Sequence, residues 1–242
     1  MRASTPRHGL ARILSKRGVC SRSEAERLIR AGRVRLDGRV VLDPEYPADL
    51  QRAAIVVDDV ALAGGASRYL VLNKPRGLVT SAADELGRDT VYRCFDGSGL
   101  GWMAPVGRLD KASEGLLLFC NDPQWAACIT NPEHGLDKIY HVQVDCVPVA
   151  DMLRRLESGI DCDGEWLRVK SVSLLRAGAK NAWLEFVLDE GRNRQIRRLL
   201  AACDINVLRL VRVAIGTLTL GELPKGQWRM LTLEEVTALG GG

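Results

Sequence analysis

Apolar and polar residues alternate along "YHVQV" (140–144) and "WLEFVL" (183–188), the period of a strand that buries one face and wets the other. Strand-like runs also cover "RYLVLNKP" (68–75), "WMAPVG" (102–107), "EGLLLFCN" (114–121), "DKIYHVQVD" (137–145), "WLRVKSVSLLR" (166–176), "NAWLEFVLD" (181–189) and "NVLRLVRVAIG" (206–216). Helical spacing instead marks "PQWAACIT" (123–130), "VADMLRRLESG" (149–159), "RNRQIRRLLAAC" (192–203) and "LTLEEVTAL" (231–239). Strands in runs, with helices interspersed rather than alternating, predict an α+β domain on a mainly antiparallel mixed sheet.

The N-terminal part follows a different pattern. "LARILSKRG" (10–18) has helical spacing that Gly18 ends, and "SRSEAERLIRAGRV" (21–34) starts a second helix that Gly32 stops. Ser21 with Glu24, or Ser23 with Glu26, has the form of a capping box. "VRLDGRVV" (34–41) places two short strands around Asp37-Gly38, a strong hairpin signal. The stretch Gly64-Gly65-Ala66-Ser67 reads as a joint, which divides the chain into an α/β module at 1–63, a linker at 64–67 and a larger domain at 68–242.

Composition narrows the function. The chain has 242 residues, 46% hydrophobic and 26% charged, which is globular, and its apolar runs are too short to span a bilayer. The N-terminus lacks an apolar core and a small-residue cleavage site. A transit peptide is set aside because "ARILSKRG" already reads as folded structure, so the expectation is a cytoplasmic protein. The seven cysteines are scattered without C-x-x-C spacing and the three histidines lack partner spacing, so neither a disulfide framework nor a metal site is expected.

Charge is uneven. Residues 1–42 carry eleven Lys/Arg against Glu24, Glu26 and Asp37, a net of +8, which leaves −4 on the rest of a chain whose total is +4. A basic head of this density fits a polyanion, and Arg22, Arg27, Arg30, Arg33 and Arg35 are the candidate phosphate contacts.

Three stretches carry candidate chemistry: "GRLDKASEGLLLF" (107–119), "DKIYHVQV" (137–144) and "EGRNRQIRRLL" (190–200). Taken singly they are a strand end, an edge strand and an amphipathic helix. Their joint occurrence in this order says more. The unit "RILSKRGVCSRSEAERLIRAGRVRLDGRVV" resembles the S4-type RNA-binding domain, which implies recognition of structured RNA by shape and phosphates. With "GRLD", "K-x-Y", "GRNRQIRR" and the closing "LPKGQWRMLTLEEV", essentially the whole chain resembles the pseudouridine synthases, in the branch typified by RsuA and its large-subunit relatives.

The resemblance implies an isomerase that breaks the N1–C1′ bond of a uridine within RNA and rejoins the uracil through C5, with no cofactor and no metal. It implies Asp110 as the essential carboxylate, Arg197 as its basic partner and Tyr140 as the active-site tyrosine. Arg108 is assigned to base displacement or to a phosphate. A carboxylate beside C1′ acts as nucleophile or stabilises electron-poor character there, and a nearby guanidinium keeps it ionised in a dry pocket. The nucleotide must leave its stack to react, and Arg192, Arg194 and Arg198 are further RNA contacts that can support flipping. "LVLNKPRGLVTS" resembles the family's first catalytic-domain strand, with Lys74 as an RNA contact. The partner is ribosomal RNA, large subunit over small, or a transfer RNA, and the chain is expected to be a monomer without membrane contact. A non-catalytic ribosome-assembly factor would use the same basic head with Asp110 in a structural ion pair. A glycosylase would need a second carboxylate or activated water, and Glu114 lies too near Asp110 along the chain to be that partner.

Overall fold

The computed structural model describes residues 7–50, 53–61, 67–82, 84 and 86–240. They form two compact units, one of Met1–Tyr69 with Phe95–Ala104 and Phe119–Pro123, the other of Leu70–Cys94, Pro105–Leu118 and Gln124–Gly242.

In the first unit the two predicted helices are Leu10–Lys16 and Arg22–Arg30. Ser21 is the cap of the second, its hydroxyl accepting from the Glu24 amide at 3.1 Å, which selects the first of the two capping registers. The hairpin at Asp37-Gly38 is present, with strands Val34–Leu36 and Arg39–Val40 and left-handed φ angles of 49° and 83° at the turn. A second hairpin, Ile55–Val57 with Val60–Ala61, completes an antiparallel four-stranded sheet. Its turn is Asp58-Asp59, both at positive φ and without glycine, so the usual signal was missing. Leu10, Ile13, Leu14, Ile29, Val34 and Ile55 are buried together between helices and sheet. Of the joint expected at 64–67, only Ser67 lies within the described residues.

The larger unit is built on a nine-stranded sheet in the order Ser171–Ala177, Ala182–Leu188, Lys138–Val144, Val207–Ile215, Glu114–Cys120, Tyr69–Lys74, Trp228–Met230. Leu218–Thr219 pairs with Val207–Ile215, and Ala104–Val106 with Glu114–Cys120. Pairing is antiparallel from Ser171–Ala177 through Val207–Ile215, then parallel where Val211-Arg212 meets Glu114-Gly115. The mainly antiparallel mixed sheet is the one expected. Every residue of Glu114–Cys120 is buried, as its unbroken apolar run requires of a central strand. Val142, Val144, Leu184, Phe186 and Leu210 pack from the sheet against Leu156, Leu199 and Leu200 of the helices Ala150–Ser158 and Gln195–Ala201.

Two predicted elements change. "WLRVKSVSLLR" is two strands, Glu165–Leu167 and Ser171–Ala177. The break falls where the Val169 amide donates to Leu156 and the Lys170 amide to Val187, and Glu165–Leu167 instead pairs with Ile160–Cys162 across Asp163-Gly164. The helix of "RNRQIRRLLAAC" begins only at Gln195, because Arg194 sits in the left-handed region at φ 49°.

Candidate active site

A cleft of about 400 Å³ opens in the larger unit, within the range of small-ligand sites. Its wall is the loop Gly107–Asp110, its floor holds Lys138, Tyr140, Leu210 and Arg212 from adjacent strands, and Gly191–Arg197 forms the opposite side. Asp110, Tyr140, Arg108, Arg192, Arg194 and Arg197, singled out in three distant stretches, therefore line one cavity.

Asp110 lies just before the buried strand Glu114–Cys120, its side chain 36% exposed. The guanidinium at ion-pair distance is that of Arg194, with Nη1 3.5 Å from Oδ2. Arg197, expected as the basic partner of this carboxylate, makes no ion-pair contact with it among the described residues. Arg197 turns instead to the loop behind the carboxylate and donates from Nη2 to the Ala112 carbonyl at 3.1 Å, its Nε buried without a partner among the described residues. Burial and the neighbouring Arg194 charge lower the Arg197 pKa, while Asp110 raises it. Both cations thus act on the carboxylate, one by contact and one from within the wall.

Tyr140 stands half-buried in the floor, opposite Phe186 on one neighbouring strand and Arg212 on the other. Arg212 is nearly buried: its Nε donates to the Leu116 carbonyl at 2.8 Å, and Nη2 has no hydrogen-bond partner among the described residues. Lys138, also in the floor, has its pKa lowered by burial and then by the Arg212 charge. Arg212 occupies an inward-facing position of its strand, between buried Leu210 and Ala214. A charged residue in that phase of an alternating strand was the available signal, and the sequence reading passed over it.

Lys74 requires a correction. It is fully buried, and its ammonium donates to the carbonyls of Pro75 at 3.2 Å, Asp110 at 3.1 Å and Ser113 at 2.8 Å. All three protons are engaged inside the protein, so Lys74 is not an RNA contact. Burial lowers its pKa to about 8, with Asp110, Cys94 and Glu114 pulling the other way.

Other charges divide into those paired with carboxylates and those without such a partner among the described residues. Arg192 pairs with Glu165 at 2.8 Å and Glu190 at 2.9 Å, and Arg198 with Glu165 and the Cys162 carbonyl, which occupies two of the expected RNA contacts. Arg76, Arg108 and Lys111 are exposed, and no carboxylate pairs with them among the described residues. Arg76 also lowers the Arg197 pKa, and the Gly77 amide donates to the Lys111 carbonyl at 2.8 Å, so these cations lie beside the Asp110 loop. Glu114 is buried between Arg209, which binds it with two bonds of 3.0 Å, and Lys225 at 2.6 Å. Burial pushes its carboxyl up, but these hydrogen bonds outweigh it and hold the pKa below the usual value. In the first unit Arg22, Arg27, Arg30, Arg33 and Arg35 each face a carboxylate yet remain half exposed or more, pairs weak enough to exchange for phosphate.

Among the described residues no three His, Cys, Asp or Glu converge to hold a metal, and no helix is long and apolar enough to cross a membrane. The cavity sets a carboxylate and an aromatic ring in one lining, and exposed cations beside it can attract an anionic chain.

The family model for RNA pseudouridylate synthase matches residues 68–202, and that for the S4 domain matches residues 9–51. An uncharacterised RNA pseudouridine synthase of Rickettsia conorii is 36% identical over 92% of this chain and 95% of its own length. One of Aquifex aeolicus is 34% identical over 94% of this chain and 92% of its own. A crystal structure of a pseudouridylate synthase superposes with a TM-score of 0.66 at 31% identity, covering 97% of this chain and 100% of the other. Sequence, fold and cleft converge, and the chain belongs to the RNA pseudouridine synthases, a family of isomerases.

Proposed function

We propose that the chain isomerises one specific uridine of ribosomal RNA, in the large subunit by preference, with Asp110 as the reacting carboxylate. The observation that carries this is Asp110 itself, a partly exposed carboxylate 3.5 Å from a guanidinium, lining the same cleft as Tyr140. In this reading Asp110 attacks C1′, or stabilises positive character there, as the N1–C1′ bond breaks. The uracil turns, C5 bonds to C1′, the C5 hydrogen leaves as a proton and N1 gains one, so atoms balance without cofactor or metal. Tyr140 stacks on the uracil and is placed to carry a proton. Arg194 pairs with the carboxylate, Arg197 braces the loop behind it, and Arg108 holds a phosphate or fills the place of the displaced base.

Residues 1–63 serve as the RNA-binding head, 64–67 as its linker and 68–242 as the catalytic domain of a cytoplasmic monomer. Arginines of the head and the free cations at the rim offset the few kcal/mol that flipping a base costs. Substrate identity follows from mapping pseudouridine in total RNA with and without the protein, where one vanished site names the uridine and tells ribosomal from transfer RNA. The chemistry is tested by tritium release from RNA labelled at uridine C5. Wild type releases label and Asp110→Asn does not; an active Asp110→Asn overturns the assignment.

A further inference from the structure

The Leu109–Ser113 segment that presents Asp110 has no helix or strand of its own. Such a segment aims a side chain only if its peptide groups are held from outside. Here every carbonyl from Leu109 to Ser113 accepts a hydrogen bond. Leu109 accepts from the Thr80 hydroxyl at 2.7 Å, Asp110 from Lys74 at 3.1 Å and the Ser113 amide at 2.9 Å, and Lys111 from the Gly77 amide at 2.8 Å. Ala112 accepts from Arg197 at 3.1 Å and Ser113 from Lys74 at 2.8 Å.

Thr80 differs from the other anchors. Its hydroxyl both donates to the Leu109 carbonyl and accepts from the Leu109 amide at 3.3 Å, so one oxygen satisfies both peptide groups of the residue immediately before Asp110. Thr80 is itself fixed, because Val79 bridges Thr90 while its amide donates to Asp89 and its carbonyl accepts from Val91, each at 3.0 Å. Among the described residues the Asp110 carboxylate has a single ion-pair contact, the partly exposed one to Arg194, so the main chain must set its direction. Lys74 and Arg197 carry charge, and replacing either changes field and geometry together. Thr80 is neutral and changes geometry alone.

We propose that Thr80 is a positioning residue of the reaction: its hydroxyl clamps the Leu109 peptide and thereby points the Asp110 carboxylate into the cleft. This rests on the assignment of Asp110 made above. A displacement of about 1 Å at a reacting group costs on the order of 100-fold in rate, so loss of the clamp falls on kcat and leaves RNA binding alone.

The test compares wild type, Thr80→Val, Thr80→Ser and Asp110→Asn by steady-state tritium release from unmodified ribosomal RNA transcribed with C5-labelled uridine. Thr80→Val, nearly isosteric but without the hydroxyl, is expected to lose about 10- to 100-fold in kcat with KM within about twofold of wild type. Thr80→Ser, which restores the hydroxyl, returns both constants to within about twofold. A Thr80→Val chain with wild-type kcat, a loss carried by KM, or a serine variant as impaired as the valine one overturns the proposal. So does a Thr80→Val chain that fails to fold, since the hydroxyl would then be a stability element. A silent Asp110→Asn beside a fully active Thr80→Val sinks this inference alone, whereas an active Asp110→Asn sinks the site assignment and this inference with it.

Discussion

Arg194 reaches Asp110 across 3.5 Å from a backbone held in the left-handed region, φ 49°. An arginine there carries strain of about 1 kcal/mol, and a half-exposed ion pair returns about 0–1 kcal/mol. Stability therefore does not explain the residue. Arg194→Asn, whose short side chain tolerates this conformation, is expected to melt at or slightly above the wild-type temperature while kcat falls about tenfold or more. Thermal unfolding beside tritium release checks both; a lower melting temperature with unchanged kcat would make Arg194 structural.

Much of the fold was legible because its signals are local. Asp37-Gly38 names its own hairpin, Ser21 caps its helix and the apolar run at 116–120 demands a central strand. The Asp58-Asp59 turn was not legible, since aspartate at positive φ is permitted rather than announced. The site was read in composition but not in wiring. Asp110, Tyr140 and Arg194 stand out along the chain, yet which guanidinium meets the carboxylate depends on the backbone turn at Arg194, and Lys74 is inward only because three carbonyls converge on it. Thr80 acts on a residue far along the chain and has no sequence signature at all.

Arg76 and Lys111, exposed beside the Asp110 loop, are expected to add to the RNA grip. Each phosphate neutralised on a single strand contributes about −0.7 to the slope of log affinity against log salt. Removing both cations should flatten that slope by about 1.4 for a uridine-bearing RNA fragment. Arg192→Ala with Arg198→Ala should change it less, because Glu165 and Glu190 already engage those guanidiniums. Filter binding across a salt series distinguishes the pairs; equal slopes for the two double variants would refute the division.

Lys74 predicts an alkaline limit. Its pKa of about 8 lies below the ordinary lysine value, so between about 8 and 10.5 the unfolded chain binds a proton that the folded chain has released. Stability from this group thus rises with pH over that window. Activity goes the other way: a neutral amine has two protons for three carbonyls, and its lone pair faces the third, which loosens the Asp110 loop. Asp110, Glu114 and Cys94 are the other groups that bear on it. The rate profile should therefore fall through about pH 8, the fall surviving Cys94→Ser and vanishing in a slower, flat Lys74→Met. A fall that persists in Lys74→Met would assign the limit elsewhere.

Gly115 permits the parallel contact on which the floor of the cleft depends. At φ 100° it pairs with Arg212, the residue opposite Tyr140, and a Cβ there would run into the Arg212 backbone. Gly77 has the same φ of 100°, but a Cβ would meet nothing within 4 Å. Alanine at either position is strained by the positive φ, and only at Gly115 is there a collision to add. Gly115→Ala should therefore lose about 1–3 kcal/mol more than Gly77→Ala in urea unfolding. It should also lose activity, because any retreat of the Arg212 strand moves the partner of Tyr140. Equal losses for the two variants would mean that the strands separate freely at this point and that their close approach does not set the floor.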